Sequence, residues 1–266
     1  HKTCRREENF HNRSQARRQE ARRRKNFHRC GEETRRQENP CHCRQTSGEE
    51  TRREEDLHNC RKEEMTFRAV FFDFGGVILR TEFQAPRQQL AERFGMDYDQ
   101  LDKAVFNSES AKRASLGEMT EEQHWLEVTR RLKLPAAESS AFQAAFFGGD
   151  VIDHALMQFI RELRGRGLHT GLISNAWSGL RAYMEKEKIL DAFESVTISS
   201  EVGATKPKPK IYHAALDAAR VSAAESIFVD DFYENIEGCE KVGMKGVFFK
   251  DPQKARKEIE RALANF

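Results

Sequence analysis

From residue 67 onward, short apolar runs alternate with stretches of helical spacing. The runs FRAVFFD (67–73), LHTGLIS (168–174), SVTI (195–198), SIFVDD (226–231) and GVFF (246–249) are rich in Val, Ile and Phe and predict strands. Between them, 151–164 carries Ile152, Leu156, Phe159, Ile160 and Leu163 at 3/4 spacing, and Gly165 and Gly167 end it. Residues 208–220 and 233–242 predict two more helices. Alternating strand and helix means α/β, with a mostly parallel sheet covered on both faces. Residues 82–150 break the alternation, with helix signals and no convincing strand. In LGEMTEEQHWLEVTRRLKL (116–134), Thr120 and Gln123 have capping-box spacing, and Trp125, Val128 and Leu132 form one apolar face. Such an insertion after the first strand sits over the carboxyl ends of the sheet, where ligands bind. It predicts an all-helical cap, with Phe142, Phe146 and Phe147 in its core.

The first quarter of the chain follows none of these patterns. Of the 266 residues, 1–64 hold 18 Lys+Arg and 13 Asp+Glu, which leaves 27 basic and 30 acidic residues in 65–266. This segment has no Val, Ile, Met, Trp or Tyr. It cannot bury enough apolar surface to offset its ordering entropy, and the composition predicts disorder. GEETRRQENPCHC (31–43) recurs as GEETRREEDLHNC (48–60), and RREENFH (5–11) loosely as RRRKNFH (22–28). His28, Cys30, Cys41, Cys43, His58 and Cys60 offer soft ligands, but the paired CxxC spacing of zinc modules is absent. Interleaved Glu residues largely cancel the field of the Arg runs, which argues against nucleic acid as a partner. The first Met is Met65, and the folded pattern starts just after it. The expectation is that 1–64 is a repetitive basic tail outside the functional protein. The core is then 65–81 plus 151–266, and the cap 82–150. One cysteine, Cys239, in the body and no apolar run near 18 residues predict a cytoplasmic protein without a membrane partner.

Polar residues punctuate the carboxyl ends of the predicted strands. Asp73 ends the first, Ser174 and Asn175 the second, and Asp230 and Asp231 the fourth; Lys206 lies in the Gly/Pro-marked loop GATKPKPKIY (203–212). One such residue is usually a cap. Together they offer a nucleophile (Asp73), oxygen ligands for a hard cation (Asp230, Asp231), and a hydroxyl and an ammonium for a phosphoryl group (Ser174, Lys206). Gly75 and Gly76 would let the backbone approach a ligand without a Cβ in the way.

FFDFGGVIL (71–79), LISNA (172–176), KPKPKIY (206–212) and FVDDFYENIEGCEKVGM (228–244), in that order, resemble the four motifs of the haloacid dehalogenase superfamily. They look like its phosphatase branch with a helical cap after strand 1, and specifically like glucose-1-phosphate phosphatase-like members. The resemblance implies a Rossmann-like three-layer α/β/α sandwich with a parallel sheet, and a Mg²⁺-dependent phosphomonoester hydrolase acting on a small phosphorylated metabolite such as a sugar phosphate. Asp73 would form an aspartyl-phosphate. Asp231, Asp230, Asp73 and the Gly75 carbonyl would hold Mg²⁺. Ser174, Asn175, Gly76 and Lys206 would bind the phosphoryl group, and Asn235 would buttress the metal loop.

The chain departs from the family at Gly75, where most members carry an acid–base Asp. A leaving group that needs little protonation, such as an anomeric or acyl phosphate, would tolerate this. A donor from the cap would also answer it, with Glu82 and His124 as candidates. A 2-haloacid dehalogenase also lacks this Asp, but the adjacent pair Asp230–Asp231 fits a metal site better. A non-catalytic module that binds a phosphometabolite or a partner is the third alternative.

Overall fold

The computed structural model describes residues 66–264. The tail, its repeats and its Cys/His pairs lie outside the described residues. Five parallel strands form the main sheet in the order β5–β4–β1–β6–β7, with β1 Ala69–Phe72, β4 His169–Ser174, β5 Ser195–Ile198, β6 Ser226–Asp230 and β7 Lys245–Phe248. All five coincide with predicted runs, four matching or trimmed by up to two residues at an end and β7 shifted by one residue. β1 is central and fully buried, which explains a run of four apolar residues without alternation.

The side chains of β1 divide between two clusters. Val70 and Phe72 pack with α6 (His154–Gly165), α7 (Leu180–Lys186) and α11 (Pro252–Ala264). Ala69 and Phe71 pack with α9 (Pro209–Ala219) and α10 (Tyr233–Lys241). Helices therefore cover both faces, and the expected three-layer sandwich is the fold. Helix α6 starts where Asp153 caps the N–H of Leu156 at 2.8 Å, and it buries Leu156, Met157, Phe159, Ile160 and Leu163. Pro209 opens α9 at a position where the missing N–H costs nothing. A short helix, α8 (Ser199–Val202), follows β5 directly.

The predicted cap is helical: α1 Ala85–Arg93, α2 Tyr98–Phe106, α3 Glu109–Ser115, α4 Glu121–Arg131 and α5 Ser139–Phe146. The expected capping box at Thr120 and Gln123 is present. Phe142 and Phe146 lie in the cap core with Trp125, and Phe147 packs at its edge.

One expectation needs correction. Residues 79–81 and 150–152 pair as a two-stranded antiparallel ribbon, β2 Leu79–Thr81 and β3 Asp150–Ile152, at the two places where the chain crosses between core and cap. The helix expected from 151 therefore begins at His154. Three-residue strands are too short to show alternation, and Val151 and Ile152 fit a helical period equally well. Among the described residues, no helix is long and apolar enough to cross a membrane.

Candidate active site

The sheet register sets the site. Phe72 pairs with Leu172 on one side and Val229 on the other. One residue further, the Asp73 N–H donates to Val229 O at 2.9 Å, so Asp73 emerges beside Asp230. Ser174, the last residue of β4, reaches the same carboxyl edge.

Lys206 joins the two strands. Its Nζ lies 2.7 Å from Asp73 Oδ1 and 2.7 Å from Asp230 Oδ2, and its side chain is fully buried. A buried ammonium between two carboxylates is stabilised by both, and loss of either partner would leave it under-compensated. Asn235 Nδ2 donates to both Asp230 oxygens at 3.1 Å, and the Phe232 N–H donates to Asp230 Oδ1 at 2.7 Å. Asp230 is thus held from three directions, by Lys206, Asn235 and the Phe232 N–H. The Asp73 contacts fall on Oδ1, which also accepts from the Phe74 N–H at 2.7 Å. Asp73 Oδ2 makes no hydrogen bond among the described residues.

Among the described residues, the Asp231 carboxylate makes no hydrogen bond or ion pair to another residue. Its Oδ1 is buried and unbonded. Asp73, Asp230 and Asp231 each place an oxygen within 4.8 Å of the others. Three carboxylates face one ammonium, so the cluster carries surplus negative charge. Burial pushes the Asp73 carboxyl up to about 7 against the pull of Lys206, with Asp230 adding to the rise. Burial, then Asp230, pushes Asp231 up to about 6. Oxygen donors with an unbonded member and unbalanced charge fit a hard divalent cation such as Mg²⁺. Asp73, Asp230 and Asp231 are the residues that would hold it, with Asp230 already committed to Lys206 and Asn235.

Two expected phosphate-binding residues have partners within the protein. The Gly76 N–H donates to Leu79 O at 2.9 Å, so it is not free for a ligand. Gly76 has φ +81°, and a Cβ there would overlap the Asp231 carboxylate; its smallness makes room for Asp231. Both ends of the Asn175 amide are engaged by Lys206: Oδ1 accepts from Lys206 N at 2.7 Å, and Nδ2 donates to Lys206 O at 3.1 Å. Asn175 therefore places the lysine. Ser174 is buried, and its hydroxyl has no hydrogen-bond partner among the described residues. Gly75 is open, and a Cβ there meets nothing within 4 Å.

Neither cap candidate for the missing acid–base group has a hydrogen bond or ion pair to Asp73 among the described residues. Glu82 is exposed and bonded to Arg80 at 3.1 Å. His124 is fully buried inside the cap, with Nδ1 on Ser110 Oγ at 3.0 Å and its ring 4.2 Å from that of Trp177.

The sequence reading missed the residues that tie the cap to this site. Glu121, at the start of α4, accepts from the Gly179 N–H at 2.9 Å, and its own N–H donates to Ser178 Oγ at 3.1 Å. Trp177 is buried in the cap cluster. The available signal was a large aromatic three residues after Ser174, in a loop otherwise composed of small and polar residues.

A family described as haloacid dehalogenase-like hydrolase matches residues 67–243. A sesquiterpene phosphatase of Aspergillus oryzae is 27% identical over 187 residues, covering 70% of this chain and 91% of that protein. A glyceraldehyde 3-phosphate phosphatase of Pyrococcus furiosus is 39% identical over 104 residues, covering 37% of this chain and only 42% of that protein. Among solved structures, an enzyme of the same superfamily from Bacteroides thetaiotaomicron, in complex with magnesium and inorganic phosphate, has a TM-score of 0.60 at 19% identity, covering 69% of this chain and 94% of that one. The match over two thirds of the chain, on the sheet that carries the carboxylate site, shows that this protein is an enzyme of the haloacid dehalogenase-like hydrolase family.

Proposed function

We propose that this enzyme is a Mg²⁺-dependent phosphomonoesterase that works through an aspartyl-phosphate on Asp73. The observation that carries the reading is the Lys206 ammonium seated between Asp73 and Asp230, with a third, unbonded carboxylate at Asp231. A carboxylate and a phosphate dianion repel each other, and Lys206 offsets part of that repulsion. Asp73, Asp230 and Asp231 would hold Mg²⁺, which when bound would supply the remaining charge compensation for the phosphoryl group. Asp73 Oδ2 attacks phosphorus, the bond from phosphorus to the leaving oxygen breaks, and water later hydrolyses the acyl phosphate. The Ser174 hydroxyl is free to donate to a phosphoryl oxygen. Asn235 and the Phe232 N–H hold Asp230 still while the charge moves.

The two phosphatase relatives are named for unlike substrates, a sesquiterpene and a triose phosphate. They support phosphoryl transfer and leave the leaving group open. Gly75 favours one that departs with little protonation, such as an acyl or anomeric phosphate. Gly75 also suits a haloacid dehalogenase. The paired Asp230 and Asp231 are the observation against that reading, because attack on carbon needs no cation.

The test is turnover of para-nitrophenyl phosphate, acetyl phosphate and a sugar-phosphate panel with Mg²⁺ and with EDTA. Turnover should require Mg²⁺. Asp231→Asn should abolish it and also remove the rise in melting temperature that Mg²⁺ gives the wild type. Halide release from a 2-haloacid in EDTA would overturn the proposal.

A further inference from the structure

Five residues after β4 link the candidate site to the cap, and each end is fixed to a different part of the molecule. Asn175 brackets the backbone of Lys206 through both ends of its amide. Ala176 exchanges hydrogen bonds with Ser199 Oγ, at 3.1 Å from its N–H and 3.2 Å to its carbonyl. Trp177 leaves the core and enters the cap cluster, where it stacks on Phe106 at 5.8 Å, tilts on His124 at 4.2 Å and meets Trp125 edge-on at 5.6 Å. Ser178 and Gly179 bond the first residue of α4, Glu121. The other Glu121 oxygen is held inside the cap by Gln143 at 2.8 Å and the Trp125 indole N–H at 3.3 Å. One carboxylate thus joins two cap elements to the segment that begins at Ser174.

Resting on the phosphatase reading, we propose that Trp177, Gly179 and Glu121 are positioning residues that make the placement of Ser174 and Lys206 depend on the docked cap. Each of the five residues is held by a hydrogen bond or by ring packing, so a displacement of the cap at Gly179 acts on a segment fixed along its whole length. Asn175 passes the shift to the Lys206 backbone, and Lys206 carries the charge that faces Asp73. Coupling of this kind is reciprocal: if docking of the cap favours phosphate binding, phosphate binding favours docking by the same factor.

The chain has two tryptophans, Trp125 and Trp177, so a Trp125→Phe variant leaves Trp177 as the sole reporter of docking. In that variant, inorganic phosphate with Mg²⁺ should lower acrylamide quenching of Trp177. Gly179→Ala unhooks the segment without removing a side chain from site or cap, because its Cβ would overlap the Glu121 carboxylate. It should lower kcat and the calorimetric affinity for inorganic phosphate by about tenfold each, with the far-UV melting curve unchanged; typical couplings are 5–150-fold. Trp177→Leu, the second variant, should show the same paired loss. Phosphate binding and kcat at wild-type level in both folded variants, or Trp177 quenching indifferent to bound phosphate, would overturn the proposal while leaving the phosphatase reading intact. A wild type that binds no phosphate and turns over no phosphomonoester would overturn both.

Discussion

At Gly75 the chain lacks a side chain that its chemistry would use, and the structure shows that a side chain would fit. A Cβ there meets nothing within 4 Å, and the backbone is not in the left-handed region. General acid–base catalysis contributes ~10²–10⁴-fold when the group is well placed. Gly75→Asp should therefore raise kcat/KM on alkyl phosphates, whose leaving oxygen needs a proton, by at least about tenfold. It should leave acetyl phosphate almost unchanged, because that leaving group departs as a stable anion. Steady-state kinetics on the two substrate classes checks this, and equal gains on both would refute it. Asp73, Asp230 and Asp231 were legible as residue types at strand ends, and Lys206 as a cation in a Gly/Pro-marked loop. The part played by Gly76 was not, because it depends on Asp231, 155 positions away in the chain, lying over it.

At the level of elements, the long apolar runs made the sheet readable, and the capping box at Thr120 made α4 readable. The β2–β3 ribbon escaped because its three-residue strands are joined by tertiary contacts rather than by pattern. One ribbon residue, Asp150, bonds Thr81 at 2.7 Å and also meets Arg87, a buried residue of α1. Its guanidinium lies 4.1 Å from the centre of the Phe146 ring and bonds Asp102 at 2.8 Å, Asp150 at 3.2 Å and the Tyr98 hydroxyl at 3.2 Å. Burial raises the Asp102 and Asp150 carboxyls even with Arg87 beside them, so neither can lose it cheaply. Arg87→Met should cost about 3 kcal/mol, because removing one partner of a buried pair strands the other charge. Urea denaturation measures it. Arg87→Lys should recover only part, since a point ammonium cannot reach both carboxylates and stack on Phe146. Full recovery by Lys would mean that charge alone matters here.

In the molecule as a whole, cap and core have separate apolar clusters, and both the β2–β3 ribbon and the segment 175–179 run between them. His124 gives the cap its own response to acid. The cap buries it fully, with one ring nitrogen on Ser110 and the other without a partner. Burial, and secondarily Arg131, lowers its pKa from 6.5 to about 4. Between those values the unfolded chain binds a proton that the folded cap refuses. The contribution of His124 to stability is therefore complete above about pH 6.5 and falls as pH drops toward 4, by an amount on the order of 3 kcal/mol. Both tryptophans lie in the cap cluster, whereas the far-UV signal reports cap and core together. At pH 7.5 the two signals should trace one urea transition. At pH 5 the tryptophan transition should shift to lower urea and separate from the far-UV one, because the cap alone takes the loss. His124→Gln should keep the two transitions together at both pH values, since it removes the group that titrates. Separation that persists in His124→Gln would place the acid-sensitive group elsewhere in the molecule.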